Sequence, residues 1–424
     1  YNPFNNPNGS VQDQNGVDSG SVYFAPAGGT SGTITLSAKA IGLDPAMNHV
    51  VRVIPMKGGV PAGESSDVSS VTMDGVFASD GGFVSNGFGV NGSGLDGFVT
   101  SGQQTASGQI LTSLETFDQT SNAIIQTVAS GTNSLYFTNG WGIYGGDVGL
   151  YGLFSESSQL SSYNLLNTVA SGNVGNAWTP PFSQSSFIIN EGAANQANDN
   201  AAFLAYDTTG PTNDNYRVFT SQIEANTFSP AYDISGPIKN FGLPSIFGFA
   251  ENTSSNTGVA IATDFVVNCA TPTLITVDLT NGTTSSFSGV GNGFPYGIAI
   301  DSSSGKAAVP TLCDGGLGIY NLASKTASQI ILPGGFNGFY AMADSAHSLF
   351  LVEQTVNPDF AWNNNSLSGV LVYDESGNLQ KEVSKFNLFG VFLSINTNNL
   401  QVNQSRRLGY LIGPGAQQIA PFSY

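Results

Sequence analysis

Residues 296–332 read YGIAIDSSSGKAAVPTLCDGGLGIYNLASKTASQIIL, and this stretch determines which fold we predict. It contains four short, largely apolar runs, GIAID, KAAVPT, GLGIYNL and ASQIIL, separated by turns rich in Gly, Ser and Asp. Short apolar runs between such turns are typical of antiparallel strands joined by hairpins. We therefore predict that this stretch forms one four-stranded antiparallel sheet.

Part of this pattern recurs along the chain. In each copy an apolar run ends in an aromatic residue or valine followed by a turn residue, which we interpret as the third strand of a sheet. The copies are Phe117-Asp118, Tyr206-Asp207, Val277-Asp278, Tyr320-Asn321 and Tyr373-Asp374, with weaker ones at Phe154-Ser155 and Phe422-Ser423. Most intervals approach the length of a propeller blade, about 40–50 residues. The longest interval, from Tyr206 to Val277, requires an insertion, which we place within residues 208–235.

A second pattern precedes several of these copies. Apolar runs that end in an acidic or amide residue occupy residues 246–251, 297–301, 339–344 and 390–396, and we predict that each is the first, inner strand of a blade. Helical periodicity is weak and confined to residues 112–128 and 158–169. The expected fold is all-β, a seven-bladed β-propeller, with six or eight blades as alternatives.

The best-defined blade resembles those of secreted bacterial propellers of the YVTN and NHL type. The resemblance rests on PYGIAIDSSSGKAAVPTLCDGGLGIYNLASKTASQI and extends over about residues 245–383. It implies a propeller fold. That family contains binding proteins and surface proteins as well as some hydrolases, so the resemblance implies no single activity.

The predicted last blade ends with the chain and therefore lacks a fourth strand. An open sheet edge invites aggregation, so we expect the N-terminal region to supply that strand. The first candidate alternates apolar and polar residues and includes Thr33, Ile34, Leu36, Ala38 and Ala40; Val51 and Val53 offer a second. We predict an N-terminal arm over residues 1–75 and a propeller over residues 76–424. The surplus arm either wraps its own propeller or pairs with a sheet edge of a neighbouring copy.

Charged residues are few and mostly acidic. They make up 9% of the 424 residues, and the net charge is −18 with 11 Lys and Arg residues. Nucleic acids and anionic membranes require basic surfaces, so neither is an expected partner. No apolar run long enough for a transmembrane helix occurs, so membrane insertion is not expected. The chain begins at Tyr1 without a leader pattern, which indicates a mature chain located outside the cell or on its surface.

The two cysteines, Cys269 and Cys313, occupy equivalent positions in neighbouring repeats. Aligning Val277 with Tyr320 places them within one residue of each other at the same turn of adjacent blades. This arrangement predicts a disulfide between blades, which is typical of an oxidising compartment. Two buried free thiols are the alternative.

Residues for catalysis or metal binding are scarce. The two histidines, His49 and His347, lie apart in the sequence, and no zinc-ligand spacing or nucleophile motif occurs. We expect no cofactor, although Asp13, Asn15 and Asp18 loosely resemble part of a calcium loop. Sequons make six asparagines candidate glycan acceptors: Asn8, Asn91, Asn252, Asn281, Asn364 and Asn403.

Three functional hypotheses follow. The first is a non-enzymatic subunit of an extracellular filament or surface layer, whose partner is another copy of the chain. The second is a secreted binding module, lectin-like, with Trp141, Tyr144 and Trp362 as platforms for glycans. The third is a calcium-dependent hydrolase of the lactonase type. The lack of recognisable catalytic chemistry favours the first hypothesis.

Overall fold

The computed structural model describes the chain in segments, most of which are strands and the turns between them. They are residues 11–12, 18–20, 51–53, 56–57, 60–61, 66–68, 76–77, 83–90, 96–104, 110–132, 141–145, 148–152, 160–163, 177–178, 187–195, 200–207, 216–222, 227–241, 246–264, 267, 269–293, 295, 297–333, 337–355, 367–387, 400–412 and 418–424. The chain divides into two compact units. The N-terminal unit is Tyr1–Gly75 with Ala420–Phe422, and the large unit is Val76–Ile419 with Ser423–Tyr424.

The N-terminal unit contains short antiparallel pairs of strands. Their bounds are β1 (Val11–Gln12), β2 (Asp18–Gly20), β3 (Val51–Val53), β4 (Met56–Lys57), β5 (Val60–Pro61) and β6 (Ser66–Val68). β1 pairs with β2, β3 with β6 and β4 with β5. The second predicted closing strand, at Val51 and Val53, is thus β3, and its partner is Ser66–Val68.

The described part of the large unit consists of seven antiparallel sheets with four or five strands each. It opens with β7 (Val76–Phe77). Sheet 1 contains β8 (Phe83–Val90), β9 (Asp96–Gln104), β10 (Ile110–Asp118) and β11 (Ile124–Thr132). Sheet 2 contains β12 (Trp141–Gly145), β13 (Val148–Gly152), β14 (Leu160–Tyr163) and β15 (Ala177–Trp178). Sheet 3 contains β16 (Phe187–Asn195), β17 (Asn200–Asp207), β18 (Tyr216–Gln222), β19 (Thr227–Phe228) and β20 (Tyr232–Asp233), and a 3-10 helix follows at Gly236–Ile238.

The remaining four sheets follow in chain order. Sheet 4 contains β21 (Ile246–Asn252), β22 (Thr257–Ala262), β23 (Thr273–Asp278) and β24 (Thr284–Ser288). Sheet 5 contains β25 (Ala299–Asp301), β26 (Lys306–Thr311), β27 (Gly316–Asn321) and β28 (Thr326–Ile331). Sheet 6 contains β29 (Asn337–Asp344), β30 (Leu349–Thr355), β31 (Leu367–Asp374) and β32 (Leu379–Asn387). Sheet 7 contains β33 (Leu400–Asn403), β34 (Leu408–Ile412) and β35 (Gln418–Ser423), with β7 as its fourth strand.

The first strands of the sheets lie side by side in a closed ring. Each of them contacts the first strand of the next sheet, and β33 of sheet 7 contacts β8 of sheet 1. Four-stranded sheets arranged radially in this way define a β-propeller. The prediction of an all-β propeller is therefore confirmed.

The core lies between neighbouring sheets, because each strand sends alternate side chains to opposite faces. In sheet 5, Ala299 and Ala308 pack with residues of sheet 6, whereas Ile300 and Ala307 pack with residues of sheet 4. Sheet 5 is thus buried on both faces. This explains why its strands read as continuous apolar runs, such as KAAVPT, rather than as an alternation of apolar and polar residues.

The hairpin between the first and second strands has the same design in sheets 4 to 7. An Asp or Asn ends the first strand, and its Oδ1 accepts a hydrogen bond from an N–H two or three residues later; these residues are Asn252, Asp301, Asp344 and Asn403. A residue with positive φ, such as Gly305 (68°), closes each turn. Short polar side chains that bond the local backbone favour such turns, which explains the acidic or amide residue at each strand end.

Several local predictions were wrong. Residues 112–128, with their weak helical periodicity, belong to β10 and β11, and residues 160–163 form β14. Tyr206-Asp207 ends the second strand of sheet 3, and β18 (Tyr216–Gln222) is the third. An aromatic residue followed by Asp marks a strand that ends in a turn, whichever strand of the sheet it is. The long interval after Tyr206 therefore contains the remaining strands of sheet 3 rather than an insertion.

Two other assignments shift along the chain. The first strand of sheet 7 is β33, which ends at Asn403, and not residues 390–396, which lie outside the described residues. The third strand of sheet 2 is β14, whereas Phe154-Ser155 lies outside the described residues. At the end of the chain, Phe422-Ser423 belongs to β35, which is the third strand of its sheet as predicted.

The predicted disulfide is present. Cys269 and Cys313 are bonded, with their Cα atoms 5.8 Å apart. Cys269 lies between β22 and β23 of sheet 4, and Cys313 lies between β26 and β27 of sheet 5. The bond therefore joins equivalent loops of two neighbouring sheets.

We expect replacement of both cysteines by serine to destabilise the large unit by about 2–4 kcal/mol. The bond closes a loop with a sequence separation of 44 residues, and its loss would increase the conformational freedom of the unfolded chain. Urea unfolding of the oxidised wild type and the double variant measures the difference. A reducing agent should lower the stability of the wild type alone; equal stability of both oxidised proteins would contradict the expectation.

Candidate functional site at the ring closure

The ring closes in sheet 7, which combines strands from the two ends of the large unit. β33, β34 and β35 supply three strands, and β7 supplies the fourth. Ile419 pairs with Val76, and Gln418 pairs with Phe77, in antiparallel register. A strand from the N-terminal region therefore completes the last sheet. That strand is Val76–Phe77, which sequence analysis did not single out.

An apolar cluster joins sheet 7 to sheet 1. It consists of Val90, Val99 and Phe117 from sheet 1 and Leu408, Tyr410 and Ile419 from sheet 7, all buried. The rings of Phe117 and Tyr410 lie 6.0 Å apart at an angle of 55°. A Cβ on Gly97 would clash with the ring of Phe117, so this position of β9 favours glycine. Burial of aromatic and aliphatic side chains makes this cluster the main apolar contact of the closure.

Hydrogen bonds around Gln119 reinforce the same junction. Its side-chain oxygen accepts one from Asn403 Nδ2 at 2.7 Å and one from the Tyr410 hydroxyl at 3.3 Å. Both Gln119 and Asn403 are almost completely buried. At the exposed end of the junction, Arg406 Nη1 donates to Thr120 Oγ1 at 3.4 Å. Burying a polar group costs free energy unless it forms a hydrogen bond. The hydrogen bond between Gln119 and Asn403 therefore stabilises both buried side chains at the junction of sheets 7 and 1.

Sheet 7 is also fastened to sheet 6. The Tyr424 hydroxyl donates to Asp344 Oδ2 at 2.8 Å, and Lys381 Nζ donates to the carbonyl oxygen of Ser423 at 3.0 Å. Asp344 is fully buried, and its Oδ2 also lies 2.8 Å from Nδ1 of His347. One buried carboxylate thus holds both its own turn and the neighbouring sheet.

Similar turn-to-turn hydrogen bonds connect sheets 4 to 7. The Thr253 N–H donates to Ser302 Oγ at 2.9 Å, and the Ser302 N–H donates to Ser345 Oγ at 3.1 Å. The Ala346 N–H donates to Gln404 Oε1 at 3.2 Å. The first turn of each sheet is thereby bonded to the first turn of the next, mainly through neutral side chains.

Burial perturbs the tyrosines at these junctions. It raises the pKa of Tyr410 to about 12, and it does the same for Tyr320 and Tyr373. Burial, the hydrogen bond to Asp344 and the charge of Asp344 raise the pKa of Tyr424 further, although Arg407 opposes this. Arg407 lies 5.7 Å from the centre of the Tyr424 ring. All four phenols are therefore held in the neutral form, in which they can donate hydrogen bonds.

The structure shows where three of the six candidate glycan acceptors lie. Asn252 and Asn403 are buried and cap hairpin turns. Asn281 is exposed in the turn between β23 and β24. Asn8, Asn91 and Asn364 lie outside the described residues. A sequon does not reveal whether its asparagine caps a buried turn; glycosylation at each of the six positions stays a prediction.

Most of the other predicted site residues lie outside the described part of the chain. The closing-strand candidates Thr33, Ile34, Leu36, Ala38 and Ala40 lie outside the described residues.

The same holds for the calcium candidates Asp13 and Asn15, and for His49 and Trp362. Asp18 lies in β2, and Trp141 and Tyr144 lie in β12, although their side chains are not described. In the segments that are described, no group of three or more His, Cys, Asp or Glu side chains is placed to hold a metal ion. Those segments also contain no helix that is long and apolar enough to cross a membrane.

Sequence reasoning missed Gln119 and Tyr424. Gln119 directly follows the repeat copy Phe117-Asp118, and Tyr424 directly follows the copy Phe422-Ser423. Both lie just after a third strand, and both reach the first turn of the preceding sheet. The position after the third strand was therefore an available signal, but its partner could be known only after the sheets had been placed in a ring.

Comparison with known proteins supports the fold alone. No family model matches the chain, and no curated protein matches it. A chain in a crystal structure of a mitotic checkpoint complex matches with a TM-score of 0.52 and 10% sequence identity, over 78% of this chain and 85% of that one. The matched chain is a propeller of the WD40 type. The present chain therefore has a propeller fold, and the likeness says nothing further about its activity.

We expect Asn403→Ala to destabilise the large unit by about 1–3 kcal/mol, because it leaves the buried side chain of Gln119 without its 2.7 Å partner and removes a turn cap. Asn321→Ala is the matched control, since Asn321 caps a turn through the Ser324 N–H but is only half-buried. Chemical unfolding of both variants measures the difference. Equal losses would mean that turn capping, rather than the bond across the seam, carries the effect.

Alkaline pH should weaken the closure. A phenol whose pKa is raised by folding contributes stability that is complete below pH 10 and is lost as the pH rises towards 12. We expect ultraviolet titration of the native protein to reveal tyrosines that ionise late, only as the protein unfolds. Tyr410→Phe should remove one of them. If every tyrosine ionised near pH 10 while the protein stayed folded, the proposed burial of these hydroxyls would be wrong.

Proposed function

We propose that this chain is a non-enzymatic structural protein that works outside the cell, as a subunit of a filament or surface layer. Copies of the chain are its partners. The propeller unit serves as a rigid body, and the N-terminal unit connects it to the sheet edge of another copy.

The observation that carries this proposal is the identity of the closing strand. Among the described residues, Val76–Phe77 supplies the fourth strand of sheet 7. The described strands that precede it, β1 to β6, pair with one another and not with sheet 7. A segment of this length that contains strands is suited to β-augmentation, in which an extended segment adds to an exposed sheet edge.

The outer strands of sheets 4 and 5 offer edges of the required kind. Among the described residues, β24 and β28 each pair with a single strand and contain no charged side chain. Ile331 at the end of β28 is 65% exposed. Proteins usually protect such edges with lysine, proline or a bulge. β32 of sheet 6, which contains Lys381, Glu382 and Lys385, is protected in this way.

The chemistry of the chain also supports this proposal. A disulfide between neighbouring sheets suits an oxidising, extracellular compartment. Only 9% of residues are charged, so few ions would have to be desolvated when surfaces of two copies meet. The carboxylates of Asp344 and Asp374 are engaged in holding turns together, which is a structural use of groups that a hydrolase would need free.

Electron microscopy and sedimentation of the purified chain test the proposal. We expect the full chain to form long assemblies, and a variant that lacks residues 1–75 but keeps Val76 and Phe77 to remain monomeric. Circular dichroism and thermal unfolding of the shortened chain serve as controls, because the propeller keeps its closing strand and should stay folded.

Substitution at the sheet edge tests the acceptor side. Ile331→Lys should weaken assembly, because a buried lysine would oppose an added strand. Leu379→Lys is the matched control, since Leu379 is 45% exposed on the charged β32. A full chain that stays monomeric at all concentrations would refute the proposed function.

A further inference from the structure

The disulfide between sheets 4 and 5 lies at the surface of their junction. Cys313 is exposed and Cys269 is half-buried, whereas Thr311 and Leu317, in the strands that flank Cys313, are fully buried. A thiolate breaks a disulfide by attacking one of its sulfurs, so the reaction depends on access to that sulfur. A reductant can therefore reach this bond while the sheets stay folded.

The segment that leads from sheet 4 to sheet 5 lies between the two loops that carry the cysteines. On one side, the Gly293 N–H donates to the carbonyl oxygen of Ala270, next to Cys269, at 3.1 Å. On the other side, the carbonyl oxygen of Asn292 accepts from the Cys313 N–H at 3.1 Å. A Cβ on Gly293 would clash with the backbone nitrogen and Sγ of Cys313. The linking segment and the disulfide are therefore packed against each other.

The second of these loops, residues 312–315, also holds the end of the outer strand β28. The Leu332 N–H, directly after that strand, donates to the carbonyl oxygen of Gly315 at 2.9 Å. Within the strand, Gln329 Nε2 donates to Asp314 Oδ2 at 2.7 Å. The order of this end of the sheet edge therefore depends on the position of the loop that the disulfide fixes.

Side-chain hydrogen bonds across this junction are exposed to solvent. They run from the Asn292 N–H to Asp314 Oδ2 at 2.7 Å and from the Thr271 hydroxyl to Asn292 Oδ1 at 3.3 Å. Water competes for such bonds, so each stabilises the loops only weakly. In addition, Cys269 has a φ of 58°, which residues other than glycine seldom adopt. Its loop can therefore relax once the covalent bond is broken.

We propose that the disulfide is a redox switch for the sheet edge at β28. The oxidised protein presents an ordered edge to a strand of another copy, and the reduced protein does not. This inference rests on the proposed function, because it regulates the addition of a strand from a neighbouring copy. In the reduced protein the end of β28 must first be ordered before a strand can pair with it, and that ordering costs conformational entropy.

The reductant is a dithiol, either a small molecule or a protein. One of its thiolates attacks Sγ of the exposed Cys313, and Cys269 leaves as a thiolate that takes up a proton. The second thiol of the reductant then attacks the mixed disulfide and releases Cys313 as a thiol. Two electrons pass to the protein, and the reductant becomes a disulfide.

Hydrogen exchange of the full chain in dilute solution tests the switch itself. We expect a dithiol to accelerate exchange of the Gly293, Cys313 and Leu332 amides at least about tenfold, because all three donate to groups at this junction. The Leu322 amide, which donates to the Gly305 carbonyl oxygen at the opposite end of sheet 5, should keep its rate. Unchanged exchange at the junction, or equal acceleration at Leu322, would overturn the inference.

Sedimentation of the full chain tests the effect on assembly. The reduced wild type should need a protein concentration at least about tenfold higher than the oxidised wild type to assemble, and reoxidation should restore the original value. The matched control replaces Cys269 and Cys313 by serine; it should behave like the reduced wild type and should not respond to the dithiol.

The possible results separate this inference from the proposed function. Equal assembly of the oxidised and reduced wild type would overturn the switch and leave the proposed function standing. A dithiol effect on the serine variant would also overturn it, because the effect would not pass through the disulfide. Failure of the oxidised wild type to assemble at any concentration would refute the proposed function, and the switch with it.

Discussion

Closure of the ring is the constraint on which the rest of the structure depends. Sheet 5 buries one face against sheet 4 and the other against sheet 6, so its burial of apolar surface depends on both neighbours. Sheet 7 meets this requirement with three strands from the end of the chain and one, β7, from the start of the large unit. The apolar cluster around Phe117 and Tyr410 then joins the last sheet to the first. A gap at this point would expose apolar surface on two sheets.

Hydrogen bonds from neutral side chains connect neighbouring sheets, and the ion pair between Lys306 and Glu375 adds to them between sheets 5 and 6. With few charged residues available, the chain connects neighbouring sheets through serine, asparagine, glutamine and tyrosine side chains. Buried ion pairs carry a large desolvation cost, whereas a satisfied neutral bond avoids most of it.

The proposed assembly rests on the strands that precede β7 and on the uncharged edges of the sheets. In the described part of the chain, β7 completes sheet 7 and the strands before it pair with one another, so residues 1–75 have strands available for another task. Outer strands without charges leave sheet edges that can accept a strand. Closure of the ring and addition of a neighbour would thus use the same physical interaction, the antiparallel pairing of strands, once within the chain and once between chains.

The sequence by itself determined the strands, the turns and the class of fold. Apolar runs ending in Asp or Asn indicated the sheets around residues 245–383, and the spacing of Cys269 and Cys313 indicated the disulfide. These signals are local, because strand alternation and turn capping depend on residues close together in the chain. One prediction from local signals was wrong. Tyr206-Asp207 ends a strand, as predicted, but that strand is the second of its sheet because it pairs with β16 and β18.

Only the tertiary structure decided which residues meet across the junctions. Asn403 carries a sequon but lies buried against Gln119, which is 284 residues distant in the chain. Lys306 and Glu375 belong to different sheets, and they form an ion pair only because the two sheets are neighbours. The closing strand is only two residues long, too short for any periodicity to reveal. Such contacts depend on how sheets are placed around the ring, and that placement is set by burial of apolar faces rather than by sequence proximity.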